Sequence, residues 1–172
     1  MCEQNIQERR LTPAEQYQSE LNNRRAALIG RNVEHYLPIF DRLDKGGSSW
    51  NWCGFFFGPM WFGYRRLYGW AAIAFVIPLI VGFVLGAILY SVQADELTMN
   101  AFSVLAALPF RIFFAIVANK AYKKRIDNLA VRMPVNEEER ARYIQSNGDI
   151  SEGALVLLIL INIVMNVGVQ FL

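Results

Sequence analysis

One histidine and two cysteines are all that the sequence offers toward metal or thiol chemistry. Cys2 and Cys53 are too few for a disulfide scaffold and lack the paired spacing of a metal site, so both read as reduced thiols. His35 has no second histidine and no cysteine at ligand spacing, which makes a packed or exposed ring a better reading than a metal ligand or a general base. Ser, His and Asp all occur, but without a Gly-x-Ser-x-Gly elbow or any other nucleophile motif. The "GGSS" at 46–49 lacks the lysine and the spacing of a phosphate loop and reads as a linker. No apolar h-region stands in "MCEQNIQERRLTPAEQ", so neither a cleaved secretory signal nor lipoprotein-type processing at Cys2 is expected. Internal repeats and low-complexity tracts are absent too. The expectation is a chain with no catalytic residues, no cofactor and no metal: not an enzyme. Net charge is also scarce: 17 basic against 15 acidic residues leave +2, and nothing there suggests a nucleic-acid partner.

A more telling absence is local. No Lys or Arg lies between Leu67 and Phe110, whereas nine lie before that gap and eight after it. With 54% hydrophobic residues in a chain of 172, insertion into a membrane is the economical explanation. Trp70–Tyr90 offers 21 residues without a charge and Ala154–Leu172 another 19, each near the ~30 Å thickness of hydrocarbon at ~1.5 Å per residue. Between them "AFSVLAALPFRIFFAIVA", residues 101–118, carries Arg111 and Pro109. A central arginine costs about 2.5–3.5 kcal/mol on insertion, and each Leu, Ile, Phe or Val returns roughly 0.3–0.6. The ten such residues in this segment outweigh it.

Three spans, near 70–90, 101–119 and 154–172, then put residues 1–49 and the 120–153 loop on one side. Both are basic, while "SVQADELTMN" on the other side holds Asp95 and Glu96 and no Lys or Arg. The positive-inside rule makes the N-terminus cytoplasmic and the C-terminus periplasmic. In the N-terminal region "TPAE" at 12–15 reads as a capping box with Pro13 at the first helical position, and Gly30 as its stop. Ala14, Tyr17, Leu21 and Leu28 share one side of that helix. A second helix is expected within "NVEHYLPIFDRLDKGG", bent or restarted at Pro38. In the 120–153 loop, Asn136 and Glu139 signal a helix start, and Asn147 with Gly148 its stop.

Residues 50–68 form a module of their own. Ten aromatic side chains fall within the 23 positions 48–70, with Arg65 and Arg66 beside them. Rings settle at the headgroup level and guanidinium groups reach lipid phosphates, so the module fits the membrane surface on the basic side. An interfacial helix over about Asn51–Phe57 is expected, then a turn at Gly58-Pro59. From Pro59 a helix should run through Tyr68 into the first span.

The stretch "GRNVEHYLPIFDRLDKGGSSWNWCGFFFGPMWFGYRRLY", residues 30–68, resembles the signature of a family of small bacterial inner-membrane proteins that carry a domain of unknown function. The likeness rests on Gly30, Asn32, Tyr36, Asn51, Trp52, Phe55, Phe56, Phe57, Gly58, Pro59, Trp61, Tyr64, Arg65 and Tyr68, and departs at His35, Gly54, Arg66 and Leu67. It implies a bacterial inner-membrane location, a basic-side aromatic module and several spans. It implies no activity.

Two sets of residues stand out as candidate sites. Trp52, Trp61, Tyr64, Arg65, Arg66, Lys123, Lys124 and Arg125 could bind lipid, in particular an anionic lipid, or a partner membrane protein; the plainer alternative is that the charges only set orientation. Arg111 and Asn162 fall at about the same depth with Asn166 one turn farther out, and the three form an intramembrane polar cluster in which Arg111 is expected to hydrogen-bond Asn162, Asn166 or the Ala74 carbonyl freed by Pro78. Gly82 and Gly86 form a GxxxG pair, expected to pack within the chain rather than in a homo-oligomer. The reading overall is an all-α membrane protein with three transmembrane helices. Its role is that of a non-enzymatic accessory or regulatory protein binding lipid or a partner, the alternative being a small oligomeric channel or transporter component.

Overall fold

A computed structural model describes residues 12–148 and 150–169, the last five by their backbone alone. Asn166 therefore lies outside the described side chains. Among the described residues there are seven helices and no strands: α1 Pro13–Ile29, α2 Val33–Asp44, α3 Trp52–Tyr64, α4 Tyr68–Ser91, α5 Glu96–Val131, α6 Glu137–Asn147 and α7 Glu152–Val169. Helices α4, α5 and α7 are long and apolar enough to cross a membrane.

Local signals set several boundaries. The Thr12 hydroxyl accepts from the Glu15 amide at 3.3 Å while the Glu15 carboxylate accepts from the Thr12 amide at 2.8 Å, the reciprocal bonds of a capping box. Gly30 at φ +61° ends α1. Asn136 caps α6 through the amides of Glu138 and Glu139, and Asp95 caps α5 through Thr98.

The 36 residues of α5 extend ~54 Å at ~1.5 Å per residue, nearly twice the hydrocarbon thickness. The expected span ends near residue 119, but the helix carries on to Val131 because its polar half has something to hold. Tyr122, Ile126 and Ala130, at helical spacing, are fully buried against Leu28 and Ile29 of α1 and Tyr36 and Phe40 of α2. This helical head continues into the rest of the core through Trp61, Phe62, Phe114 and Ala118.

Beneath the head, α3 packs against α4, α5 and α7. Its contact with α5 is close: a Cβ on Gly54 would stand 3.0 Å from the Ala118 Cβ and 3.2 Å from the Phe114 carbonyl oxygen. Two expectations are corrected here. Helix α3 does not run on into α4; it closes at Arg65–Leu67, where the Leu67 amide donates to the Phe62 carbonyl at 2.8 Å and Arg66 adopts φ +57°. This is a Schellman-type stop at a non-glycine residue, held because the side chains of Arg65 and Arg66 find acceptors and rings on opposite sides of the break. Nor do Gly82 and Gly86 pack within the chain: a Cβ on either would meet nothing within 4 Å.

Candidate functional site

The aromatic module starts at Asn51, whose side chain accepts from the Gly54 amide at 2.7 Å and caps α3. Proline has no N–H to offer the carbonyl four residues back and disfavours helical geometry in the residue before it, so the helix bends ahead of Pro59, with Phe57 at φ −119°, ψ 16°. The bend falls one residue before the expected Gly58-Pro59 turn. Gly54, Gly58, Trp61 and Phe62 face inward, whereas Trp52, Phe56 and Phe57 are exposed. Outside, the rings contact one another: Trp52 stacks on Phe56 with centroids 5.9 Å apart, and Trp50 meets Trp52 edge-on at 5.4 Å.

The level of these rings along α5 is fixed by two bonds. The Asn51 amide donates to the Ala115 carbonyl at 3.0 Å, and the Asn51 side chain donates to the Asn119 carboxamide at 2.7 Å. The module therefore begins where the apolar run of α5 gives way to Lys120, Lys123 and Lys124. These three lysines, at i, i+3 and i+4, line an open surface cavity of about 510 Å³ together with Leu43, Gly46, Gly47, Asp127 and Asn128. Lys120 and Lys124 are exposed; Lys123 is tied to Asp44 at 2.6 Å and to Asp127.

The eight residues singled out from the sequence thus separate into three groups. Trp52 and Lys124 lie at the surface. Lys123 belongs to an ion-pair ring in which Arg25, only 2% exposed, donates to Asp127 at 2.8 Å and to Asp44 at 2.9 Å. Burial alone would push the Asp44 carboxyl up, but hydrogen bonds from Lys123 and Arg25 outweigh it and hold the carboxyl below the usual range. Of the rest, Tyr64, Arg66 and Arg125 are half-buried, and Trp61 and Arg65 are buried. Trp61 is 6% exposed and Arg65 2%, so neither reaches a lipid phosphate.

Arg65 is caged instead. Its guanidinium carbon lies 4.5, 4.9 and 5.5 Å from the ring centroids of Tyr36, Tyr122 and Tyr64, and it donates to the Tyr122 hydroxyl at 3.1 Å. Burial pushes the Tyr122 phenol up to about 12, and the cation is held by ring faces and the Tyr122 hydroxyl. Arg66 and Arg125 turn toward the end of α6: Arg66 donates to the Ser146 and Ile150 carbonyls and Arg125 to that of Asn147 at 2.7 Å. The negative end of a helix dipole stands there in place of a carboxylate. Sequence reasoning missed Lys120, Tyr36, Tyr122 and the Arg25 ring. Only Lys120 left a local signal, its helical spacing to Lys123 and Lys124.

A second cavity, of about 420 Å³, opens deeper, where α3, α4, α5 and α7 meet. Arg111, Asn162, Ala74 and Pro78 all lie on its wall, so the levels anticipated for these residues coincide in space. Among the described residues Arg111 makes no hydrogen bond, and the bond expected to Asn162 or to the Ala74 carbonyl is not formed. Arg111 is exposed, on the wall of the cavity that the bent segment of α3 also lines.

An all-α chain with three membrane-length helices and a helical head seated on the second of them is the class this architecture defines. The chain belongs to the family described as "Protein of unknown function (DUF2628)", which matches residues 14–127, from the first residues of α1 to the Asp127 that closes the ion-pair ring. No curated protein and no solved structure matches it.

Proposed function

We propose that this is a multi-pass protein of the bacterial inner membrane, with its N-terminus and the 120–153 segment in the cytoplasm and its C-terminus in the periplasm. In this reading it is a non-enzymatic accessory protein that holds anionic phospholipid at the cytoplasmic headgroup level. The observation that carries the proposal is the placement of the exposed Trp50 and Trp52 rings, on either side of the Asn51 that bonds Asn119, next to the exposed Lys120 and Lys124. Rings of this kind settle among headgroups, and each lysine near an anionic surface contributes about 1 kcal/mol of attraction.

Two experiments test it. Reporter fusions after Asn100 and after Leu172 should read periplasmic, and one after Gly148 cytoplasmic; a periplasmic reading at Gly148 overturns the topology. Native mass spectrometry of the full chain taken from mixed nanodiscs should show phosphatidylglycerol retained over phosphatidylcholine, with fewer phosphatidylglycerol molecules retained by the Lys120→Gln/Lys124→Gln variant. Equal retention of both lipids by the wild type overturns the lipid role.

A further inference from the structure

Among the described residues Arg111 is the one formal charge on the wall of the deeper cavity, and no aspartate or glutamate lines it. Nine residues separate it from Lys120, which puts it ~13 Å along α5 from the basic end and, on the reading that α5 crosses a membrane, near the middle of the ~30 Å apolar layer. Its side chain leans toward the N-terminus of α5, away from those lysines, so snorkelling to the nearer surface works against the helix geometry. A cation at that depth normally pairs with something. Here the cavity provides the space in which a partner would sit.

The shape of that space specifies the partner further. Gly54 and Gly58 contribute no side chain to the space, and the bend of α3 at Phe57 lies beside it. Phe55, Phe110 and Phe114 supply apolar walls, and the Asn162 carboxamide lies on the same wall as the guanidinium. A volume of about 420 Å³ falls in the range of ~300–1,000 Å³ typical of sites that enclose a small ligand. A planar guanidinium matches the two oxygens of a carboxylate or phosphate. On α4, Leu79 and Gly82 share the side of the helix that carries Phe75 and Pro78 and are exposed, an apolar strip that would receive a hydrocarbon chain.

We infer that this cavity binds an anionic amphiphile, an oxyanion carried on an acyl chain, with the headgroup on Arg111 and the chain leaving between α3 and α4. The inference rests on the membrane reading above but not on the lysine site, which lies ~13 Å away along α5 at the basic edge of the layer.

The test uses the full chain in phosphatidylcholine nanodiscs, titrated separately with oleate, with phosphatidylglycerol and with inorganic phosphate, bound ligand being counted by native mass spectrometry. Wild-type protein should retain oleate, phosphatidylglycerol or both at one site, and the arm that binds tells a free fatty acid from a membrane phospholipid. Arg111→Gln should lower retention at least tenfold. Ala107→Phe, which keeps the cation but fills part of the cavity, should do the same, with circular dichroism and elution volume unchanged for both. Lys120→Gln/Lys124→Gln should leave this site intact, so failure of the interfacial lipid reading is seen separately. The inference is overturned if Arg111→Gln binds as the wild type does, if phosphate alone occupies the site, or if neither amphiphile binds.

Discussion

Asn51 and Asn119 lock the start of α3 to the middle of α5. The Asn51 carboxamide donates to Asn119 at 2.7 Å while its oxygen accepts from the Gly54 amide, and Asn119 in turn donates to the Ser49 hydroxyl at 3.1 Å. Both asparagines are buried. Asn51→Ala removes a helix cap, worth ~0.5–2 kcal/mol, and orphans a buried amide, worth ~1–3 kcal/mol. A loss of about 2–4 kcal/mol is expected from thermal unfolding in detergent. Asn51→Asp, which keeps the cap but cannot donate to Asn119, should fall between the two proteins.

Glycines on α3 and α4 should behave oppositely. Gly54→Ala drives a methyl group against the Ala118 Cβ and a backbone oxygen that cannot move aside, and an overpacked contact of this kind costs ~1–3 kcal/mol. At Gly82 and Gly86 the same substitution meets open space, so abundance and melting temperature should hold or rise slightly. Expression and thermal scans of the three single variants check the contrast.

The ion-pair ring gives the head a pH window. The folded Asp44 carboxyl is depressed, so its contribution is complete above its unfolded value near ~4 and is lost as pH falls through the lower folded value. Burial alone would lower Lys123, but the hydrogen bonds it donates to Asp127 and Asp44 outweigh burial and raise it; its contribution is complete below ~10 and is lost only as pH rises through the folded value. Melting temperature should therefore stay flat between these limits as far as this ring is concerned. It should fall on the acid side, less steeply in Asp44→Asn. Arg25→Ala leaves two carboxylates without their buried cation. It should cost ~2–3 kcal/mol, below the ~3–5 of a fully buried pair because Asp44 is 38% exposed.

Within the aromatic module, position decides the outcome of truncation. Phe62→Ala empties a fully buried site and should cost ~3–5 kcal/mol. Trp52→Ser with Phe56→Ser removes exposed rings and should leave detergent stability within ~1 kcal/mol, while moving the bending point of α3 outward in quenching experiments with brominated lipids. Equal destabilisation by the two variants would show that the outer rings are packed against protein.

How far the sequence carried depended on whether the determining interactions were local. Thr12 with Glu15, Gly30, and Asn136 act within a turn of chain, so the limits of α1 and α6 were legible. The three apolar runs were legible because their lengths match a membrane-length helix. Arg65 was not: adjacent to Trp61 and Tyr64 it looks like an interfacial cation, and only Tyr36 and Tyr122, brought in from two other helices, turn it into a core residue. The extension of α5 was hidden for the same reason. "AYKKRIDNLAV" shows its apolar stripe only once α1 and α2 supply the opposite face. The break at Arg66 was hidden as well, since its positive φ is held by carbonyls far along the chain.

The seat of the head on the far half of α5 has a consequence for synthesis. Arg25 and Asp127 are 102 positions apart, so at ~5–20 residues per second a growing chain waits roughly 5–20 s between making the cation and making its anion. Throughout that interval Leu28, Ile29 and Phe40 have no α5 to cover them, and two hydrophobic hairpin arms leave the ribosome in between. The nascent N-terminal helices must be shielded by a chaperone or rest on the bilayer until the last turns of α5 emerge. A ribosome stalled before codon 122 displays the head as an unfolded, adhesive segment.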